Sequence, residues 1–464
     1  MSTLSTDCRA VSVRLGTLLA QRGFGRQALP HWWTCAWKAV SDAIGTPIAS
    51  LIQLSDAIMD GVASLSGGTA VEYETLTWAT PAKASYQLAD LRAAQRQAGK
   101  YQAAIPADIA DLEVALPARV LADAEEASNE IARFDAELGD EVAPFASILL
   151  RTESAASSNI ENLTASARAI AEAETLGDTS RRNAAMIVSN TEAMKAAIAL
   201  ADQIDEDAIL AMHAALMRAS HPDTAGKWRT EQVWIGGGTF GPRGADFVAP
   251  HHERIHAGIE DLLTFGQRND IPTLPQIAIA HAQFETIHPF PDGNGRTGRA
   301  LIQAMLRNKR LTRQITVPVS AGLLTNTDAY FDALGSYPEG DTAPIVERLA
   351  AASVLAVANG RHLVGDLRSI RASWDSKINA RRDSAVHRVA DLLIKQPVFN
   401  AQVLQRELGI STGNARRYVD PLANAGIIVE FTDRTRNRAW RAPEVLSALD
   451  AFAVRAGRRG PTVC

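Results

Sequence analysis

Residues His288 to Arg299 read His-Pro-Phe-Pro-Asp-Gly-Asn-Gly-Arg-Thr-Gly-Arg, so a base, a carboxylate, a glycine-rich turn and two guanidinium groups share one short stretch. Glycines on both sides of Asn294 let the backbone come close to an anion. The apolar positions that follow, Ala300, Leu301, Ala304 and Met305, recur at helical spacing. The turn is therefore expected to open a helix whose first N–H groups face that anion. Arg296 and Arg299 stand three apart on one face of its first turn, where a guanidinium fork grips phosphate. Together these residues suit the handling of a polyphosphate.

The run resembles the signature of the Fic/Doc family, His-Pro-Phe-x-Asp/Glu-Gly-Asn-Gly-Arg-x-x-Arg, with every fixed position filled. The resemblance implies that His288 is a general base, that Asp292 holds Mg²⁺, that Gly293, Asn294 and Gly295 cradle phosphates, and that Arg296 and Arg299 take the outer phosphates. It further implies transfer of AMP from ATP to a Ser, Thr or Tyr hydroxyl of a target protein or of the chain itself. Gly295 stands where kinase-like Doc proteins carry lysine, which puts the chain with the adenylyl-transferring branch. Elementary chemistry agrees with these roles. Histidine titrates near neutral pH and suits a base. Mg²⁺ bridging phosphate oxygens needs only one or two carboxylates. Charge building on departing pyrophosphate is met by arginines and turn amides.

Three other readings compete. Gly293 to Gly298 fits the three-glycine dinucleotide fingerprint, which requires a strand before it and an acid about twenty residues later. The preceding Leu274–Ile287 reads as helix, and Ile315–Val319 ends without an acid. Glu285/His288 and Glu253/His256 form two Glu-x-x-His pairs, the di-iron pattern of helical bundles. That pattern leaves the turn and both arginines without a role, and Pro289 ends the helix at the supposed ligand. An ordinary charged loop is the third reading, and a full motif match argues against it.

The chain has 464 residues, enough for two to four domains. A mean hydropathy of −0.07 and 46% apolar residues indicate a soluble, globular chain, and no apolar run of about eighteen residues suggests a membrane span. A net charge of −5 leaves no global nucleic-acid footprint. Cys8, Cys35 and Cys464 are odd in number and far apart, which fits a reducing, cytoplasmic setting without a disulfide framework.

Residues 1–75 carry little information. Leu15–Leu19 is too short for a secretory core, and Asp56 and Asp60 interrupt Ile48–Leu65. Trp32, Trp33 and Trp37 are expected to pack in a core, with a partner patch as the alternative, and an over-early start codon would also account for this stretch. Residues 76–200 read as an alanine-rich helical region, its pattern running from Ser85 with breaks at Pro106, Pro117 and Pro144. Within it, Ser157-Ser-Asn-Ile-Glu161-Asn162 resembles the family's autoinhibitory pattern, of the class inhibited from the N-terminal side. By that resemblance Glu161, with Ser157, competes with a phosphate for Arg299; the bland alternative is a solvated helix face.

Residues 201–360 are expected to form the catalytic core. Trp228–Pro250 holds two β-prone runs around glycines, a hairpin signal. In the family such a flap receives the target segment by backbone pairing, here through Val233, Trp234, Ile235 and Gly236. A charged linker is expected at 361–383, a winged helix at 384–445 and a tail at 446–464. The winged helix would present Asn414, Arg416 and Arg417 on its second helix and Arg434 and Arg436 on the wing, although Asp420, Glu430 and Asp433 dilute the charge. DNA contact through 411–441 and protein contact or homodimerisation both remain open for it. The expected fold is therefore mainly α: an all-α Fic core with a β-hairpin flap, an N-terminal helical region and a C-terminal winged helix. Removal of AMP, with Glu161 positioning a water, and transcriptional regulation through the winged helix are the alternative functions.

Overall fold

The computed structural model describes residues 68–79, 88–138, 142–432 and 437–457. The order opens with β1 (Glu72–Trp78), α1 (Leu88–Gln97) and β2 (Gly99–Ile105). Helices α2 (Ala118–Glu137), α3 (Val142–Ile160), α4 (Ala167–Leu176), α5 (Arg182–Ala199) and α6 (Glu206–Met217) follow. A short hairpin, β3 (Trp234–Ile235) with β4 (Phe247–Val248), precedes α7 (Ile255–Gln267), α8 (Thr273–Ile287) and α9 (Asn294–Asn308). Then come α10 (Val319–Leu324), α11 (Thr327–Ser336) and α12 (Ala343–Lys377). The described chain is mainly helical, as expected.

Helix α8 lies at the centre: from Leu274 to Ile287 every side chain but Glu285 is buried. A helix apolar on all sides belongs inside a bundle, and the flat apolar pattern of this segment dictates that place. It stops at His288, whose φ of 49° is left-handed, and Pro289 supplies no N–H to continue it. Gly293, at φ 82°, then turns the chain into α9, which is also buried along most of its length. Helix α9 packs against α8, α5 and α3, and α10 sits between α3 and α12. The two helices that flank His288–Gly293 are thus clamped from behind, and the turn between them is fixed by the core.

Three expectations need correction. Gly99–Ile105 is a strand, paired antiparallel with β1 from Glu72↔Ile105 to Trp78↔Gly99. Its alanines and charges suggested helix, but cross-strand pairing overrides that weak propensity. Position 144 lies in the first turn of α3, where proline costs no hydrogen bond, so it breaks nothing. The charged stretch Arg368–Asp383 is for the most part the end of α12: Trp374 is fully buried, and Arg371 pairs with Asp375 at 2.6 Å on the solvent side. Trp32, Trp33, Trp37, the three cysteines, Ser85, Asp433, Arg434 and Arg436 lie outside the described residues.

The C-terminal part comprises α13 (Ala385–Lys395), β5 (Val398–Asn400), α14 (Ala401–Leu408), α15 (Ala415–Asn424), β6 (Val429–Glu430), β7 (Ala439–Arg441) and α16 (Pro443–Arg455). Its strands form an antiparallel sheet in the order β5-β7-β6. Asn400 caps α14 through Val403 N at 3.0 Å, and Gly409 ends it in the left-handed conformation. Helix α15 buries Ala415, Val419 and Leu422 and exposes Arg416 and Arg417, with Asn414 exposed just before it. Helix α13 packs on α3 and α16 on α12, so this part shares the core of the bundle. Residues 443–455, within and just before the expected tail, are helix because Leu446, Ala448 and Phe452 have a core to enter. Among the described residues no helix is long and apolar enough to cross a membrane.

Candidate active site

The turn that opens α9 is closed by its own residues. The Asn294 carboxamide accepts from Phe290 N at 2.9 Å and donates to Phe290 O at 2.8 Å, so both its ends are spent on the backbone. The Asn294 side chain, expected in the phosphate cradle, thus shapes the turn. The Asp292 carboxylate accepts from Gly293 N at 2.6 Å and stands 3.4 Å from Arg296 Nη2. It is half-exposed and keeps lone pairs open to a hard cation, so a single carboxylate completed by phosphate oxygens and water fits Mg²⁺ here. Arg296 is buried and its Nε has no partner among the described residues, a donor left over for a ligand.

His288 points its ring with a defined tautomer. Nδ1 lies 3.2 Å from the Glu285 carbonyl, which can only accept, so Nδ1–H donates there and Nε2 keeps its lone pair. Burial pushes the imidazole down to about 4, helped by the Arg229 charge and resisted by the Glu285 carbonyl, Glu161 and Asp292. The ring is therefore neutral and able to accept a proton across the whole neutral range, a weaker base than an ordinary histidine.

Arg229 holds the His288 segment in its left-handed conformation. Its guanidinium donates to His288 O at 2.8 Å, Pro250 O at 2.6 Å and Glu231 O at 3.0 Å, with a longer bond to Ile287 O. Its backbone N–H also donates, to Pro289 O at 3.0 Å. His213 supports the turn from the other side: Gly226 N donates to its Nδ1, so Nε2–H donates to Asp292 O at 3.1 Å, and the ring stacks on Phe290 at 3.7 Å. Neither residue stood out in the sequence. Arg229 lies 59 residues from His288 and His213 79 from Asp292, and no local pattern marks such contacts.

Ser157 and Glu161 meet Arg299. Arg299 is 1% exposed and donates from Nε to Ser157 Oγ at 3.0 Å, and from Nη2 to Ser157 O and Glu161 Oε1, both at 2.8 Å. Burial alone would raise the Glu161 pKa, but the Arg299 charge and hydrogen bond, with Arg296 and His288, outweigh it and hold the carboxyl below its usual value. A Cβ on Gly295 would collide with Glu161 Oε1 and approach Arg299 Nη1 at 2.9 Å, so the carboxylate lies directly over the first turn of α9. The position after Glu161 has φ 59°, which explains Asn162: a helix ending there needs a residue that tolerates the left-handed region. Helix α3 is itself pinned, by Asn190 donating to Ser154 O and Ser158 Oγ and by buried Glu153 accepting from Ser320 and Gln303.

Residues 203–306 match the family model described as Fic/DOC family. The chain carries a Fic domain. A protein adenylyltransferase fic-1 of Caenorhabditis elegans is 29% identical over 192 residues, 40% of this chain and 35% of that protein. A protein adenylyltransferase Fic of Nematostella vectensis is 28% identical over 152 residues, 32% of each chain. This chain spans about a third of the length of these curated relatives. Among solved structures, a Fic family protein from Desulfovibrio desulfuricans has 23% identity and a TM-score of 0.45 over 71% of this chain and 97% of its own.

The hairpin of the Fic domain pairs Trp234 with Val248 and Ile235 with Phe247, ahead of the left-handed Gly236 and Gly237. Val233 stands beside it, its carbonyl accepting from Gln232 Nε2 at 3.1 Å and from Ala249 N at 3.2 Å, while Ile235 and Gly236 are exposed. The β1–β2 strand pair braces it: Trp78 meets Trp234 edge-on at 5.3 Å and donates to Phe240 O at 2.9 Å. The di-iron alternative does not fit the Fic domain. His288 and Glu285 join no cluster with Glu253 and His256; the one His/Cys/Asp/Glu group close enough to share an ion among the described residues is His251, His252 and Glu253, adjacent in sequence.

Proposed function

We propose that the chain transfers AMP from ATP to a Ser, Thr or Tyr hydroxyl of a target protein or of itself, and that Glu161 holds this activity in check. The observation that carries the reading is that the cradle at the start of α9 already holds an anion, the Glu161 carboxylate, between Gly295 and Arg299 and near the neutral His288. A phosphate group is the natural competitor for that position. The named adenylyltransferase relatives support the same chemistry.

In the proposed reaction the target hydroxyl oxygen attacks the α-phosphorus of ATP, the bond to the β-phosphate breaks and pyrophosphate leaves. The hydroxyl proton passes to His288 Nε2 as the new bond forms. N–H groups of Gly293 to Gly295 and the Arg296 and Arg299 guanidinium groups take the growing charge of the leaving group. Asp292 would hold Mg²⁺, which when bound neutralises phosphate oxygens. While Glu161 and Ser157 occupy Arg299, the fork is unavailable to the outer phosphate. The hairpin residues Val233 to Gly236 are read as the docking edge for the target segment, one backbone hydrogen bond at a time.

The C-terminal part is read as a winged helix on its helix and strand order, with exposed Asn414, Arg416 and Arg417 offered to DNA, a protein or a second copy. A cytoplasmic location is the reading that the three widely spaced cysteines of the sequence support.

Incubation with α-labelled ATP tests the reading. Label should enter protein with the wild-type chain or its Glu161→Gly variant, and His288→Ala should abolish transfer while ATP still binds. Asp292→Asn should weaken Mg²⁺-dependent nucleotide binding. Undiminished labelling by His288→Ala would remove that residue from the role of base.

A further inference from the structure

Away from the catalytic turn, a cleft of about 510 Å³ opens between the outer ends of α3, α5 and α9 and the C-terminal part. Five cationic side chains line it: Arg151 from α3, Lys195 from α5, Arg307 from α9, Lys395 from α13 and Arg406 from α14. The lining carboxylates are two, Glu174 and Glu407. We infer that this cleft binds a small phosphate-bearing anion, a phosphomonoester with a compact organic body.

The pairing pattern fixes the charge such a ligand carries. Arg151 is spent on Glu174 through two bonds, at 2.8 and 3.0 Å. Lys195 is held at 2.7 Å by Glu192, which is not in the cleft wall. Lys395 and Arg406 share the single Glu407 carboxylate, at 2.8 and 3.0 Å, which leaves one positive charge over. The Arg307 guanidinium makes no hydrogen bond or ion pair among the described residues, which leaves a second. The negative end of α9 offsets Arg307 only in part. A surplus near two charges in a concave, half-buried wall matches a phosphate dianion.

The size and remaining lining fix the rest. The volume exceeds what a bare phosphate fills and falls within the range of small-molecule sites. Ala146, Leu150, Ile198 and Val403 give part of the wall an apolar surface for the body of the ligand. None of the lining residues belongs to the α9 turn or to Ser157–Asn162, so this site is separate from the one proposed for ATP.

Calorimetric titration of the full chain with inorganic phosphate and with glucose 6-phosphate, at constant ionic strength, tests the proposal. Both probes should bind with millimolar or tighter affinity. Arg307→Gln should weaken both at least about tenfold. Arg406→Gln should do the same, and its side chain, 63% exposed, is no part of the core, so a loss there is not a folding defect. Arg296→Gln, in the catalytic turn, should leave binding at this site unchanged. The proposal fails if neither probe binds in the millimolar range, if Arg307→Gln and Arg406→Gln bind like wild type, or if Arg296→Gln alone abolishes binding.

Discussion

Glu161 Oε1 lies 2.8 Å from Arg299 Nη2, although 138 residues separate the two in sequence. Arg299 is buried and Glu161 is half-exposed, so the pair joins a fixed fork to a carboxylate that solvent can reach. The asymmetry suits a removable occupant: α9 and the core hold the arginine, while the glutamate rests over the turn at the end of α3.

The absence of a side chain at Gly295 gives Glu161 its place, and in the proposed reaction a phosphate would take the same space. Gly295→Ala should fold normally, since alanine favours helix by up to about 1 kcal/mol and the clash falls on a flexible side-chain tip. It should lower ATP affinity at least about tenfold, even in a Glu161→Gly background. Calorimetric ATP binding in that double variant checks this, and wild-type affinity would mean that the anion sits elsewhere.

The low pKa of His288 predicts an unusual pH profile. A histidine whose folded value is depressed stays neutral, and so competent as a base, until pH falls through that lowered value. The rate kcat/KM reports the free protein, so its acid limb from His288 should lie near pH 4 rather than near 6.5. An acid limb with its half-fall near pH 6.5 would contradict the buried, desolvated ring seen here.

Arg229→Ala removes the donor to several main-chain carbonyls around His288 and leaves them buried without partners. A loss of about 3 kcal/mol in stability is expected, together with loss of labelling. Arg229→Lys should rescue little, because an ammonium cannot present the same planar fork. Chemical denaturation of both variants is the check: a lysine variant as stable as wild type would reduce Arg229 to a point charge.

Much of the site was legible because its chemistry is local. His288 to Arg299 is one turn, and Ser157, Glu161 and Asn162 lie on one helix end, so spacing alone carries their geometry. The partners that hold these groups in place were not legible, because Arg229 and His213 act on carbonyls brought near only by the fold. Fold-level expectations failed where a surface pattern was ambiguous. Arg368, Arg371 and Asp375 looked like a linker and are the solvent face of α12, whose buried Trp374 was the one signal to the contrary. Lys100 to Ala104 looked helical and is a strand, since its pairing with Tyr73 to Thr77 of β1 decides it.

The central claim is that Glu161 and ATP compete for Arg299, and incorporation from α-labelled ATP into protein by the Glu161→Gly variant measures it most directly. Release of even about 2.7 kcal/mol of inhibition corresponds to a roughly hundredfold faster transfer, and adding His288→Ala to the same chain should erase the gain. Labelling by Glu161→Gly that stays at the wild-type level, on a target the wild type modifies, would contradict the account and make Ser157 to Asn162 a helix end with no hold on the reaction.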